Sequence, residues 1–323
     1  MSKLNVLYTV DNKYVDFMLA SALSLIENGN AEGLKIHIIT SGFAVDDYNR
    51  IEAALCKYPN IEVYFYDIKN YDLDKFKIPA WRGVQIPNAR LFFQDILRDN
   101  VNTMENLLYL DSDVIVVSDL NSLSEYNANA INAVKDGIDL RHIQYLGISQ
   151  YFNSGVLYFN VDKWINSSMQ DQVVHFFEQN RKILTYPDQD AINCAFEGEI
   201  AEMPLNYNLG ANAYLFDPKL QSRYFGKNSN ISNEEIEEAK RNPKILHGIG
   251  VLDIKPWTNN HANPYNEIFM QYILKANPNF QKTEIGTLQK LLTMTPEICA
   301  WVMVMKKSMP TNIKTMARKL IRF

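Results

Sequence analysis

What this 323-residue chain lacks narrows it first. It has only three cysteines, Cys56, Cys194 and Cys299, too scattered for a CxxC pair or an even disulfide framework, which fits a reducing compartment. No apolar run reaches the roughly 18 residues a membrane-spanning helix needs. The N-terminal stretch "MSKLNVLYTVDNKYVDF" has no long apolar core of the signal-peptide kind and reads as a first strand. The net charge of −5 gives no global basic footprint for nucleic acid. Neither GxxxxGK[ST] nor GxGxxG follows the first strand, which weakens ATP hydrolysis and dinucleotide redox chemistry as readings. Acidic residues are missing from one place, the last 23 residues, where Lys306, Lys307, Lys314, Arg318, Lys319 and Arg322 stand without a counter-charge.

What is present suits a large α/β core, with 47% hydrophobic and 12% aromatic residues. Strand-like runs at 5–10, 34–40 and 61–67 alternate with helical spacing over 15–26 and 45–55. Asn28-Gly29 stops the first helix. Further strands are expected at 107–110, 131–136, 155–162 and 244–250, and helices at 88–97, 170–184 and 188–196. Such alternation predicts a mostly parallel mixed sheet flanked by helices. After about residue 280 the rhythm is lost, so 1–280 is expected as one domain and 281–323 as a helical, basic, amphipathic tail. Ligands of open α/β sheets sit beyond strand C-termini. That singles out Asp11, Lys13, Asp111, Asp113 and Asp136.

The stretch "LLYLDSDVIVV" (107–117) is the most informative. Two carboxylates two positions apart on an extended chain lie ~6.5 Å apart on one face. Left bare, they repel by about 2–3 kcal/mol at an effective dielectric near 20. Backbone N–H groups of a turn could satisfy each of them. A divalent cation would satisfy both, since hard cations prefer carboxylate oxygens. At a strand's C-terminal edge such a cation would bridge to a diphosphate and assist its departure. The chemistry would then be transfer of a group carried on a nucleoside diphosphate.

Several separated motifs in order, spanning about residues 4–260, resemble the retaining glycosyltransferases of family 8. That group includes bacterial lipopolysaccharide galactosyl- and glucosyltransferases and has the GT-A fold. The resemblance implies that "YTVDNKY" (8–14) touches the nucleoside through Thr9, Asp11 and Tyr14, with Lys13 close by. "NARL" (88–91) would bring Arg90 to the donor sugar or phosphate, although Asn88 stands where the family usually has an aromatic residue. "LYLDSD" (108–113) would supply Asp111 and Asp113 as metal ligands and Ser112 to the ribose. "YFNSGVLYFNVDKW" (151–164) would supply Asn153 and Gly155 to the sugar pocket, and Asp136 a sugar-hydroxyl contact. "YPDQDAIN" (186–193) would set Asp188 and Gln189 against the sugar as the catalytic pair, with Asp190 supporting the helix. "HGIGVLDIKPW" (247–257) would give His247 as third metal ligand, Gly250 for close backbone approach, and Lys255 to neutralise the diphosphate. Four residues separate Gly250 from Lys255, against two in the family. The other histidines, His37, His142, His175 and His261, receive no role.

The resemblance implies a UDP-hexose donor, a glycan or glycolipid acceptor, and a divalent cation. An imidazole among carboxylates suits Mn²⁺ better than Mg²⁺. It also implies a cytoplasmic protein held at the inner face of an anionic membrane through the basic tail. The competing readings are a sugar nucleotidyltransferase, which would show a glycine-rich N-terminal phosphate loop, and a non-catalytic UDP-sugar-binding protein on the same fold.

Overall fold

A computed structural model describes residues 3–73, 85–138, 140–180, 184–217, 219–220, 231–249, 254–259 and 262–308. Strands β1 (Leu4–Asp11), β2 (Leu34–Ser41) and β3 (Ile61–Asp67) alternate with helices α1 (Val15–Asn28) and α2 (Val45–Leu55). After them come α3 (Phe93–Leu97), β4 (Asn106–Leu110), β5 (Val114–Val116), β6 (Ile131–Lys135), α4 (Leu140–Leu146) and β7 (Phe152–Asn160). Next are α5 (Val161–Asn166), α6 (Met169–Asn180), α7 (Pro187–Ala195), β8 (Ile200–Met203), β9 (Leu209–Gly210) and β10 (Ile245–His247). Later helices span Asn233–Arg241, Asn266–Ala276, Thr287–Leu292 and Pro296–Ser308.

The main sheet runs β3-β2-β1-β4-β7-β6-β8. Only β7 opposes its neighbours; every other adjacent pair is parallel. Both faces are covered, which is why the strands are nearly continuous in apolar residues rather than alternating with polar ones. On β1, Val6, Tyr8 and Val10 enter one apolar cluster and Leu7 the other. The first cluster is closed by α1 and the helix Asn266–Ala276; the second contains Phe93, Trp164, Phe177 and Phe196 from the helical layer opposite.

The segment expected as one helix over 88–97 is a 3-10 stretch, Ile86–Phe92, followed by the five-residue α3. Pro87 removes a donor at its start, and Arg98 ends α3 in a left-handed conformation (φ 50°). The tail expectation meets two facts. Cys299, Ala300, Met303 and Val304 are buried in the same cluster as Tyr265 and Phe269, and Thr258 bridges to Thr283 across the expected boundary. The basic end, 309–323, lies outside the described residues.

Topology gathers the site. Strands β1, β4 and β6 run in one direction, so Asp11, Asp111 and Asp136 share one sheet edge. The antiparallel β7 begins at that edge with Phe152, Asn153 and Ser154.

Candidate active site

The resumption of apolar residues after Asp111-Ser112-Asp113 has a topological cause. The chain leaves the main sheet at Leu110 and enters a second, three-stranded sheet, β5-β10-β9. There β10 pairs antiparallel with β5, setting His247 opposite Val114. The backbone N–H of Gly248 donates to Asp113 O at 2.7 Å. A residue 134 positions downstream is thereby placed beside the two aspartates. His247 Nε2 lies 3.7 Å from Asp111 Oδ2 and 3.5 Å from Asp113 Oδ1. One ligand atom from each of the three residues lies within 4.8 Å of the others.

The surroundings of this triad fit a divalent cation. His247 Nδ1 is 2.8 Å from Asn208 Oδ1, so it carries the proton and leaves the Nε2 lone pair facing the carboxylates. Asn208 Nδ2 donates in turn to Asn153 Oδ1 at 2.8 Å. Asp111 Oδ1 accepts from Tyr109 OH at 2.6 Å and pairs with Arg90 Nη2 at 3.0 Å, which turns Oδ2 toward His247. Gly155 leaves the room: a Cβ there would stand 2.8 Å from Asp111 Oδ2 and 2.9 Å from His247 Nδ1. Asp113 is 8% exposed, and its Oδ2 is held by the Lys255 ammonium. Burial pushes its carboxyl up, but Lys255 and His247 together hold it well below the usual carboxylate range.

The second half of the site lies on β6, β7 and α7. Arg90 is 4% exposed. Its guanidinium stacks over Tyr109 at 4.3 Å, donates to Ser154 O at 2.6 Å, and pairs with Asp188 at 3.4 Å. It therefore joins the Asp111 end of the site to the Asp188 end. Ser154 Oγ donates to Asp188 Oδ2 at 3.0 Å. Gln189 accepts from Ser154 N at 3.0 Å and donates to Asp136 Oδ2 at 2.9 Å, and Asn153 Nδ2 donates to the same oxygen at 3.1 Å. Burial raises the Asp136 and Asp188 carboxyls above their ordinary values, against hydrogen bonds to the first and the Arg90 charge beside the second.

The residues expected on the nucleoside side lie at the ends of β1 and β4 and at the start of α1. Thr9 is buried and bonds Tyr109 OH at 3.0 Å. Ser112 Oγ is 3.5 Å from Thr9 O. Asp11 accepts from Lys13 N at 3.0 Å in an Asx turn. Tyr14 is 37% exposed. Its ring meets Phe17 and Trp257 edge-on, at 5.4 and 6.3 Å, and Trp257 stacks on Phe17 at 3.9 Å. That aromatic packing brings the Lys255 segment against the end of β1. Gly250 lies outside the described residues.

A profile of glycosyl transferase family 8 matches residues 5–261. The chain belongs to glycosyl transferase family 8. Two curated relatives of this family 8 protein are General stress protein A of Bacillus subtilis (strain 168) and a lipopolysaccharide 1,2-glucosyltransferase of Escherichia coli (strain K12). The first is 22% identical over 84% of this chain and 93% of its own length. The second is 28% identical over 64% of this chain and 62% of its own length. Among solved structures, galactosyltransferase LgtC in complex with donor and acceptor sugar analogues superposes with a TM-score of 0.66 at 21% identity, covering 84% of this chain and 95% of that one. The bifunctional glycosyltransferase WbbM gives 0.66 at 20% identity over 84% of this chain and 50% of that one. The fold is therefore of the GT-A type, and the protein is a glycosyltransferase.

Sequence reasoning missed four residues that hold the family 8 site together: Tyr109, Ser154, Asn208 and Asn193. Asn193 pairs with both backbone groups of Phe152, at 2.6 and 2.8 Å. Tyr109 and Ser154 stand inside quoted motifs, and their alternation along β4 and β7 could have turned them toward Arg90. Asn208 carries no local signal, because its partner is 39 positions away.

Proposed function

We propose that the protein is a retaining hexosyltransferase, moving galactose or glucose from a UDP-sugar to a hydroxyl of a glycan acceptor such as a surface saccharide. The carrying observation is the triad Asp111, Asp113 and His247, drawn to within 4.8 Å at the C-terminal sheet edge of a family 8 fold. A divalent cation held there, Mn²⁺ by the donor set, would neutralise the donor diphosphate and stabilise its departure as a Lewis acid.

The protein's own residues do the rest. Thr9, Asp11, Tyr14 and Ser112 receive the uridine and ribose. Lys255 neutralises the diphosphate. Asp136, Asn153, Gly155 and Asp188 orient the hexose, and Arg90 fixes the carboxylates on both sides of it. A double displacement would need a carboxylate nucleophile under the anomeric carbon. The matching residue, Gln189, is an amide engaged at both its oxygen and its nitrogen. A front-face course follows, in which the acceptor hydroxyl attacks from the leaving-group side and the departing diphosphate takes its proton. A hexosyl adduct trapped on Asp188 would overturn that course.

Turnover of a panel of UDP-sugars, with Mn²⁺ and with chelator, tests the reading. Turnover that survives chelator, or Asp113→Ala, would refute it.

Contact with the cytoplasmic face of an anionic membrane belongs to the same proposal. Leu291 and Met305 are exposed on the last two helices and Met294 between them, just before the cationic end of the chain. Among the described residues no helix is long and apolar enough to cross a membrane. Since Cys299, Ala300, Met303 and Val304 are core, the informative deletion starts at 309. Removing 309–323 should abolish cosedimentation with anionic vesicles and spare UDP binding; undiminished cosedimentation would refute the membrane contact.

A further inference from the structure

Helix α7 carries Asp188 and Gln189 on its first turn, and it is held along one face by side chains that reach the 136–154 segment. Gln189 bonds Asp136 and Ser154, and Asn193 bonds Phe152. Glu197, just past the helix, accepts from Ser149 N at 2.8 Å. Between these lies Asp190, fully buried, with four hydrogen bonds on its carboxylate. Oδ1 accepts from Tyr151 OH and lies 2.8 Å from His142 Nε2. Oδ2 accepts from the backbone N–H groups of Thr185 and Tyr186, at 2.6 and 2.9 Å. The carboxylate therefore fixes the turn from which Asp188 and Gln189 project.

His142 is the one of these partners that comes from α4, in the middle of the excursion between β6 and β7. Asp136 stands at one end of that excursion and Asn153 at the other. The imidazole is packed by Tyr145, Tyr151 and Tyr186, with ring centroids 6.2, 5.5 and 5.5 Å away. The bond to Asp190 and these ring contacts leave it little rotational freedom.

We propose that His142 is a positioning residue that locks α4 to α7 through Asp190, holding Asp188 and Gln189 in register with Asp136 and Asn153. The inference rests on the hexosyltransferase reading. Loss of His142 leaves Asp190 with three donors, so the fold survives it. What is lost is the tie between the two sides of the sugar pocket. Misplacement of about 1 Å at a reacting centre can lower a rate about 100-fold, and partial release of α4 should cost about tenfold. The UDP half of the site, Thr9, Asp11 and the triad, does not touch this lock.

The experiment compares His142→Phe and His142→Gln in the full chain, reading kcat at saturating UDP-hexose and calorimetric Kd for UDP and for UDP-hexose. We expect His142→Phe to lower kcat about tenfold and weaken UDP-hexose selectively, with UDP affinity within twofold of wild type. His142→Gln, which retains a donor for Asp190, should return to within about threefold. Unchanged kcat in His142→Phe, failure of Gln to restore it, or parallel loss of UDP and UDP-hexose affinity would each overturn the positioning role. If His142→Phe fails to fold, His142→Ala takes its place against His142→Gln. A wild type that turns over no UDP-sugar refutes the hexosyltransferase reading instead, and the UDP versus UDP-hexose Kd ratio still decides the role of His142.

Discussion

Adding a single methyl group at Gly155 should disable the triad without substituting any of its ligands. Asp111 N donates to Gly155 O at 2.8 Å, which continues the β4–β7 ladder by one residue and fixes the backbone separation. An alanine Cβ would then lie 2.8 Å from Asp111 Oδ2 and 2.9 Å from His247 Nδ1. Ordinary contact begins at 3.4 Å, and His247 Cε1 would stand only 2.3 Å away, so the imidazole must move by about 1 Å and the carboxylate by about half an ångström. Neither can do so freely. Asp111 is tied to Tyr109 and Arg90, and His247 to Asn208. Metal–ligand distances tolerate only about 0.2 Å. Overpacking of this kind costs about 1–3 kcal/mol of stability. Disturbing the orientation of ligands costs about 10–100-fold in metal affinity. The assay is an Mn²⁺ titration by calorimetry on wild type and Gly155→Ala, with thermal melts in chelator to separate the stability loss. A Gly155→Ala protein that binds Mn²⁺ with the wild-type Kd would refute the close-approach argument.

Two further outcomes follow from buried charges. His37, 1% exposed within β2, is pushed down to about 4 by burial and then by Lys35. Its Nδ1 meets Tyr66 OH at 2.9 Å, while Nε2 has no hydrogen-bond partner among the described residues. An unfolded histidine titrates near 6.5, so between that pH and 4 the unfolded chain binds more protons. The His37 contribution is complete above about pH 6.5 and falls by about 3 kcal/mol as pH drops toward 4. Urea midpoints from pH 7 to 4.5 should fall less steeply for His37→Phe than for wild type, and equal slopes would contradict this. Arg90→Met removes the cation between Asp111 and Asp188 and should cost about 3–5 kcal/mol, read from denaturant midpoints; a loss under about 1 kcal/mol would show that the buried pairing is not needed.

Much of the fold could be read from apolar runs because the main sheet is covered on both faces. Strands β1, β2 and β3 fall within a residue of their expected bounds. Strand β7 begins at Phe152 rather than 155 because Asn153 and Ser154 look polar yet are extended; the polar groups of 152–154 are satisfied by Asn193, Asp136, Asn208 and Gln189. Three residues that single-sequence reading passed over share one property. Asn208, Asn193 and His142 act through partners 39 to 48 positions away, and no local periodicity encodes such a pairing. The "DSD" motif was legible because both of its carboxylates sit in one turn. Its partner histidine stood out only through the glycines and Lys-Pro-Trp that follow it.

The distribution of charge explains why the site should need a cation and not merely tolerate one. Asp111, Asp113, Asp136 and Asp188 converge on one sheet edge. Arg90, buried beneath them, compensates Asp111 and Asp188 but presents almost no surface of its own. Lys255, about one-third exposed, is drawn onto Asp113. Asp136 Oδ2 accepts from the amides of Asn153 and Gln189. Arg90 and Lys255 are thus already paired with carboxylates, and among the described residues a diphosphate approaching that edge would meet an unfavourable field until Lys255 is shared with it. Burial raises the Asp136 and Asp188 carboxyls above their ordinary values. The ionised Asp113 beside His247 keeps negative charge concentrated at the triad. A divalent ion bound by Asp111, Asp113 and His247 would reverse the sign of the field at the one point where the donor is most anionic. The same argument predicts that UDP binds weakly, and with little sensitivity to its diphosphate, when that ion is removed.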